Sequence, residues 1–178
     1  QIKKAIDLIM KAEKPIIMAG GGVILSGAFN ELQALAEILM CPVVTTFKGK
    51  GGFPENHPLA MGPIGMHGHA EANKIIIEAD CIIAIGARFS DRSVGRFDEF
   101  GKGMSIIHLD VDPAEIGKNK SVDVAVVGDV KSSLRTLVKM LTTKGIRKDP
   151  DNSWLKRRKE LIEYYTSTIK DYSREITA

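Results

Sequence analysis

The feature that most restricts how this chain can fold is a series of short, uninterrupted apolar runs. Pro15 to Ala19, Val43 to Thr46, Cys81 to Ile85, Ser105 to Leu109 and Val124 to Val127 are each four or five residues long, and each is followed closely by glycine or aspartate or by a loop rich in glycine. Runs of that length without polar alternation suit strands buried on both faces, which occur where helices cover a parallel sheet. Helical spacing lies between them. Ile2, Ile6, Ile9 and Met10 fall on one face of an opening helix that must end near Pro15, because the residue before a proline is pushed out of the α region. Phe29, Leu32, Leu35, Ala36 and Leu39 form a second stripe, and Ala70 to Ala79 and Val130 to Leu141 two more helices. The pattern predicts an α/β fold: a Rossmann-like, doubly wound parallel sheet of five or six strands with helices on both faces. The Gly/Pro-rich stretch from Phe47 to Gly68 is longer than a compact domain usually tolerates without a functional reason, so it is a site candidate.

A chain of 178 residues, 44% of them hydrophobic, can bury a core of its own, so one compact domain is expected over residues 1–143. Lys144 to Ser153, charged and containing Gly145 and Pro150, reads as a linker. It introduces a helix around Trp154 to Tyr165 that packs loosely or leads to a further domain, so residues 144–178 are set apart. That helix carries the run Lys156-Arg157-Arg158-Lys159, read as a solvated face; a net charge of +3 with no nucleic-acid module around it argues against a nucleic-acid partner. The apolar runs are too short to cross a bilayer and no leader pattern opens the sequence, so no membrane role and a cytoplasmic location are expected. Cys41 and Cys81 sit beside apolar residues as buried thiols, and His57, His69 and His108 lack metal spacing. No nucleophile motif, HExxH or Walker A loop occurs. The residues describe a holder of a cofactor, with no catalytic residue and no metal ligand assigned.

Ligands of doubly wound sheets sit beyond the carboxyl ends of the strands. The residues there are Gly20-Gly21-Gly22, Thr46 to Gly52, Gly86-Ala87-Arg88, Asp110-Val111-Asp112 and Gly128-Asp129. Gly20-Gly21-Gly22 either lets a diphosphate approach main-chain N–H groups or is a plain strand-to-helix turn; Leu25 stands where the NAD fingerprint has its third glycine. Asp110 stands where carboxylates accept ribose hydroxyls, whereas Asp112-Pro113 also suits a turn. Arg88 and Arg92 offer planar forks to phosphate or a flavin carbonyl, or pair with Asp91. His67, between Met66 and Gly68, either approaches a flat ring or is solvated.

In order and spacing, GGG at Gly20 to Gly22, GKGGFPENHP at Gly49 to Pro58, GMHG at Gly65 to Gly68, GARFSDR at Gly86 to Arg92 and HLDVDPAEIGKNK at His108 to Lys120 closely resemble acetolactate synthase. The glycine-lysine loop alone is shared by many thiamine-diphosphate enzymes; the later motifs in series are far more specific. The similarity runs from the opening helix through Val130 and the helix after it, with a weaker match around Trp154. The sequence departs from the family pattern at Ser90, where aspartate is usual, and at Lys48, where methionine often stands. The resemblance implies the middle, FAD-binding domain of the catalytic subunit, a DHS-like NAD/FAD-binding fold. It implies flavin contacts at Gly20, Gly21, Gly22, Thr46, Phe47, Lys48, Met66, His67, Gly86, Ala87, Arg88, Asp91, Arg92, Asp110, Val111 and Asp129. Full-length relatives condense pyruvate with pyruvate or 2-oxobutanoate, losing CO2, at the start of branched-chain amino-acid synthesis. Thiamine diphosphate and Mg2+ would then lie in N- and C-terminal domains of the same polypeptide, with FAD serving structure and no net redox, and this chain alone would be inactive. A homo-oligomer of catalytic subunits and a regulatory small subunit are the further implied partners. The alternatives are the middle domain of another thiamine-dependent lyase or oxidase, or a stand-alone nucleotide-binding regulator.

Overall fold

The computed structural model describes residues 1–96 and 99–176, with side chains through Ile169. Positions 97 and 98 of the expected first domain, and 177 and 178 of the expected tail, lie outside them. The element order is α1 (Ile2–Lys11), β1 (Pro15–Ala19), α2 (Gly21–Ser26), α3 (Phe29–Leu39), β2 (Val43–Thr45), a 3-10 turn (Phe47–Gly49), β3 (Ala60–Pro63), α4 (Ala70–Glu78), β4 (Cys81–Ile85), α5 (Asp91–Val94), β5 (Ser105–Asp110), β6 (Val124–Val127), α6 (Val130–Thr143) and α7 (Ser153–Ile176). Six strands form one sheet in the order β3-β2-β1-β4-β5-β6, every pair parallel. This is the doubly wound order, in which the chain starts at the centre, runs to one edge, and returns to build the other half.

Alternate residues of each strand feed opposite faces. Ile17, Val43, Ile83, Ile107 and Leu109 pack with Ile6, Ile9, Leu32, Leu35, Leu134 and Leu137 of α1, α3 and α6. Ile16, Met18, Val44, Ile82 and Ile106 pack with Ala72, Ile75 and Ile76 of α4 and with Trp154 and Leu161 of α7. β1 and β4 are buried throughout, which is why their sequences show no polar alternation. In α1 the buried positions are Ala5, Ile6 and Ile9, whereas Met10, placed by sequence on the same stripe, is 43% exposed.

Two expectations need correction. The stretch from Phe47 to Gly68 is not all loop: it contains β3, a short edge strand that pairs with β2 through an irregularity at Val43 and Val44. Ala-Met-Gly-Pro carries no strand pattern, and Pro63 is tolerated because an edge strand has one side free of ladder bonds. Nor does the start of the tail pack loosely. Trp154 and Leu155 are buried, and donors from this region satisfy carbonyls at the amino end of the sheet: Lys148 Nζ to Ala12, Asn152 Nδ2 to Met40, Trp154 Nε1 to Pro15 and Arg158 Nη2 to Ala60. Arg157 grips both carboxylate oxygens of Glu78 on α4 at 2.9 and 3.0 Å. Half of the basic run thus belongs to the packing of α7, and only the rest is a solvated face.

Cys41 and Cys81 are free and buried, and removal from water pushes both thiols up to about 12. Only the thiolate is nucleophilic, so a disulfide reagent at pH 8 should label neither cysteine in the folded chain and both after urea unfolding. Rapid labelling without denaturant would contradict their burial.

Candidate functional site: the carboxyl edge of the sheet

The ladder extends one residue past each strand and knits the strand exits into one edge. Ile64 N–H donates to Thr45 O, Thr46 N–H to Ala19 O, Gly20 N–H to Ile85 O, Gly86 N–H to Leu109 O and Gly128 N–H to Asp110 O, all at 2.7 to 2.9 Å. The predicted exits therefore stand side by side in the order of the strands. At about 4.8 Å per strand the row from the β3 exit to the β6 exit is roughly 24 Å long.

Its centre is the switch point between β1 and β4, where the connection reverses. Here two glycine turns interlock. Gly22 N–H donates to Gly86 O at 3.0 Å, a Cβ on Gly20 would stand 2.1 Å from Gly86 O, and one on Gly22 would stand 2.6 Å from Gly86 Cα. Gly20 and Gly22 are therefore required for backbone packing, and Gly21 is the member of the triplet that faces Lys48 across the edge.

The neighbouring loops are tied to one another. Gly65 packs on the Arg92 main chain and Met66 N–H donates to Arg92 O at 3.2 Å, joining the β3 exit to α5. Asn119 Nδ2 donates to Arg88 O at 3.0 Å, joining the loop after β5 to the β4 exit. Lys48, Arg88 and Arg92 are exposed, and among the described residues none of them forms an ion pair. The Asp91 carboxylate instead accepts the N–H of Arg92 at 2.8 Å. Phe47 (76%), next to Lys48, and Met66 (81%), bonded through its N–H to Arg92 O, are exposed beside these cations, and Val111 (65%) is exposed at the β5 exit, so exposed apolar surface lies along this edge. Unpaired cations next to uncovered apolar side chains suit an anionic ligand with a flat apolar part.

Other candidates have local structural work. Thr46 Oγ1 accepts from Gly49 N–H to cap the 3-10 turn, and Asp129 Oδ1 accepts from Ser132 N–H to cap α6, a bond that lowers its pKa. Asp112 Oδ1 accepts from Ala114 N–H, the turn its Asp-Pro pair suggested. Asp110 is buried, and its Oδ1 accepts from Asp112 N–H at 3.0 Å. His67 is exposed on the turn after β3, and Ala87 is buried within the β4 exit. The sequence offered no reason to single out Phe89, whose φ is +47° although it is a buried aromatic, or His108, wholly buried beneath it. No group of three or more His, Cys, Asp or Glu suited to a metal occurs among the described residues. No described helix is long and apolar enough to cross a membrane.

The family model for the central domain of thiamine pyrophosphate enzymes matches residues 2–137. A probable acetolactate synthase large subunit of Methanocaldococcus jannaschii is 54% identical over 161 residues, 90% of this chain and 27% of that protein. One from Methanococcus aeolicus is 57% identical over 79% of this chain and 24% of its own length. The acetolactate synthase large subunit of Cyanidium caldarium is 40% identical over 98% of this chain and 30% of its own length. The chain thus spans about a quarter to a third of the curated relatives it matches.

Proposed function

The chain belongs to the central-domain family of thiamine pyrophosphate enzymes, and from that premise we propose that it is the FAD-binding central domain of an acetolactate synthase. The observation that supports FAD is the carboxyl edge itself. Lys48, Arg88 and Arg92 lie there without ion-pair partners among the described residues, beside exposed Phe47, Met66 and Val111. A dinucleotide laid across the switch point would set its diphosphate near the guanidinium and ammonium groups and the Gly21 main chain, and a flat ring system against the apolar side chains. The residues present therefore fit the group. FAD would supply shape and an apolar platform, because the condensation of two 2-oxo acids with loss of CO2 transfers no electrons overall.

The same reading assigns thiamine diphosphate and Mg2+ to N- and C-terminal domains of the full polypeptide. It divides this chain into 1–143 and 144–178 and leaves it inactive alone. Cytoplasmic residence, a homo-oligomer of catalytic subunits and a regulatory small subunit are further parts of this proposal. Titration of the purified chain with FAD, read by flavin fluorescence and by melting temperature with NAD as control, tests it. Saturable FAD-specific binding is expected, and at a hundredfold excess over Kd a native-state ligand adds about 2.7 kcal/mol of stability. A response to NAD alone would favour a nucleotide-binding regulator, and acetolactate formed by this chain alone would refute its inactivity.

A further inference from the structure

We propose that His108 is a positioning residue of the carboxyl edge, whose uncharged imidazole, buried under the Gly86–Ser90 turn, holds Phe89 and Asp110 in the arrangement that binds ligand. The proposal rests on the reading of this edge as a dinucleotide site. His108 is wholly buried on β5, and neither ring nitrogen makes a hydrogen bond of good geometry, the polar groups near it being the Ala87 main chain and, at 3.8 Å, Asp110 Oδ2. An imidazole so poorly satisfied in a protein interior is costly, so its presence asks for a reason. Its surroundings supply one. The Phe89 ring meets it edge to face at 5.2 Å and 88°, and Phe89 in turn meets Phe100 at 6.3 Å. Phe89 is held at φ +47°, a conformation that a bulky side chain adopts only when its neighbours over-determine it. Arg88 directly precedes Phe89, so whatever fixes Phe89 also fixes the backbone from which Arg88 projects. On the other side His108 Nε2 lies 3.8 Å from Asp110 Oδ2.

The device depends on the ring staying neutral. β4 and β6 place only Ala84 and Ala125 beside it in register. The groups that act on its charge are Asp110, Glu115 and the Ala87 main chain, each favouring protonation, and burial outweighs them and lowers the imidazole below its ordinary range. The sign follows from linkage. A depressed folded-state pKa means that the contribution to stability is fully present above the ordinary imidazole value and is lost as pH falls toward the depressed one. A proton on His108 would draw Asp110 toward it and drive the charged ring to seek solvent, displacing Phe89 and with it Arg88.

The test follows backbone amides of the 178-residue chain by heteronuclear NMR from pH 8 to pH 4.5 and measures FAD affinity over the same range, with His108→Phe and His108→Leu as non-titrating variants. In the native chain the Ala87, Arg88 and Phe89 amides should shift with the His108 imidazole. FAD affinity should fall by up to about tenfold per pH unit below that titration, the limit for one excluded proton. Both variants should bind FAD more weakly than the native chain at pH 8, His108→Leu more so because it loses the ring contact with Phe89, and both should lose the acid decline. Loop amides that ignore the imidazole, or an acid decline that persists in both variants, overturns the proposal. If FAD binds at no pH while the loop still titrates with His108, the dinucleotide reading fails and the coupling stands; if FAD binds and the loop does not titrate, the reverse holds. Should one variant fail to fold, the other and the native amide titration still decide.

Discussion

Gly86→Ala is expected to destabilise the chain by roughly 2–5 kcal/mol, combining about 1–2 kcal/mol for a left-handed non-glycine residue with about 1–3 kcal/mol for overpacking. Gly86 has φ +57°, and an added Cβ would stand 2.5 Å from Gly22 Cα and 3.0 Å from Gly22 N. The obstruction is backbone on both sides, so no rotamer change relieves it. The turns after β1 and β4 would have to separate, breaking the Gly22 N–H to Gly86 O bond at the switch point. FAD binding should be lost with stability, because the same turn carries Arg88. Gly51→Ala is the control: its φ is +85°, but nothing lies within 4 Å of the added carbon. It should cost only about 1–2 kcal/mol, the conformational part alone. Urea unfolding followed by circular dichroism separates the two, and equal losses would mean that close packing at the switch point contributes nothing.

That contrast also marks what could be read from the sequence. β1 and β4 were legible because Pro-Ile-Ile-Met-Ala and Cys-Ile-Ile-Ala-Ile are buried at every position, and continuous burial leaves its mark on composition. β3 was not, because an edge strand asks less of its residues and its Gly62, at φ +83°, is filled from outside by the His69 ring. The carboxyl edge was legible as a row of glycines and acids at the strand ends. The jobs of those residues were not, since Gly20 and Gly22 are fixed by their approach to Gly86, more than sixty residues on. His108 was hidden for the same reason. A histidine after Ser-Ile-Ile reads as polar at a strand end, and its burial depends on Phe89 folding over it from the loop after β4. In each case local pattern showed where the backbone goes, and contacts distant in sequence determined what the side chains do there.

The tail tests that division energetically. Trp154→Ala should cost about 3–5 kcal/mol, the usual range for truncating a buried large aromatic. Trp154 is 3% exposed, packs in the same cluster as Ile16, Ile75 and Ile82, and donates Nε1–H to Pro15 O at 2.9 Å across 139 residues of sequence. Trp154→Phe keeps most of the ring but leaves the Pro15 carbonyl without that donor, so it should lose about 1–3 kcal/mol. The interval between the variants measures packing apart from the hydrogen bond. If both values appear in urea unfolding, the amino end of the sheet depends on residues beyond 143, and a chain cut at Thr143 should unfold at markedly lower urea than the whole. If Trp154→Ala costs less than about 1 kcal/mol, α7 adds little, and residues 1–143 are the independent unit that their composition suggests. A large cost would place the start of α7 within the cooperative core, because the Pro15 carbonyl at the start of β1 takes its side-chain donor from Trp154.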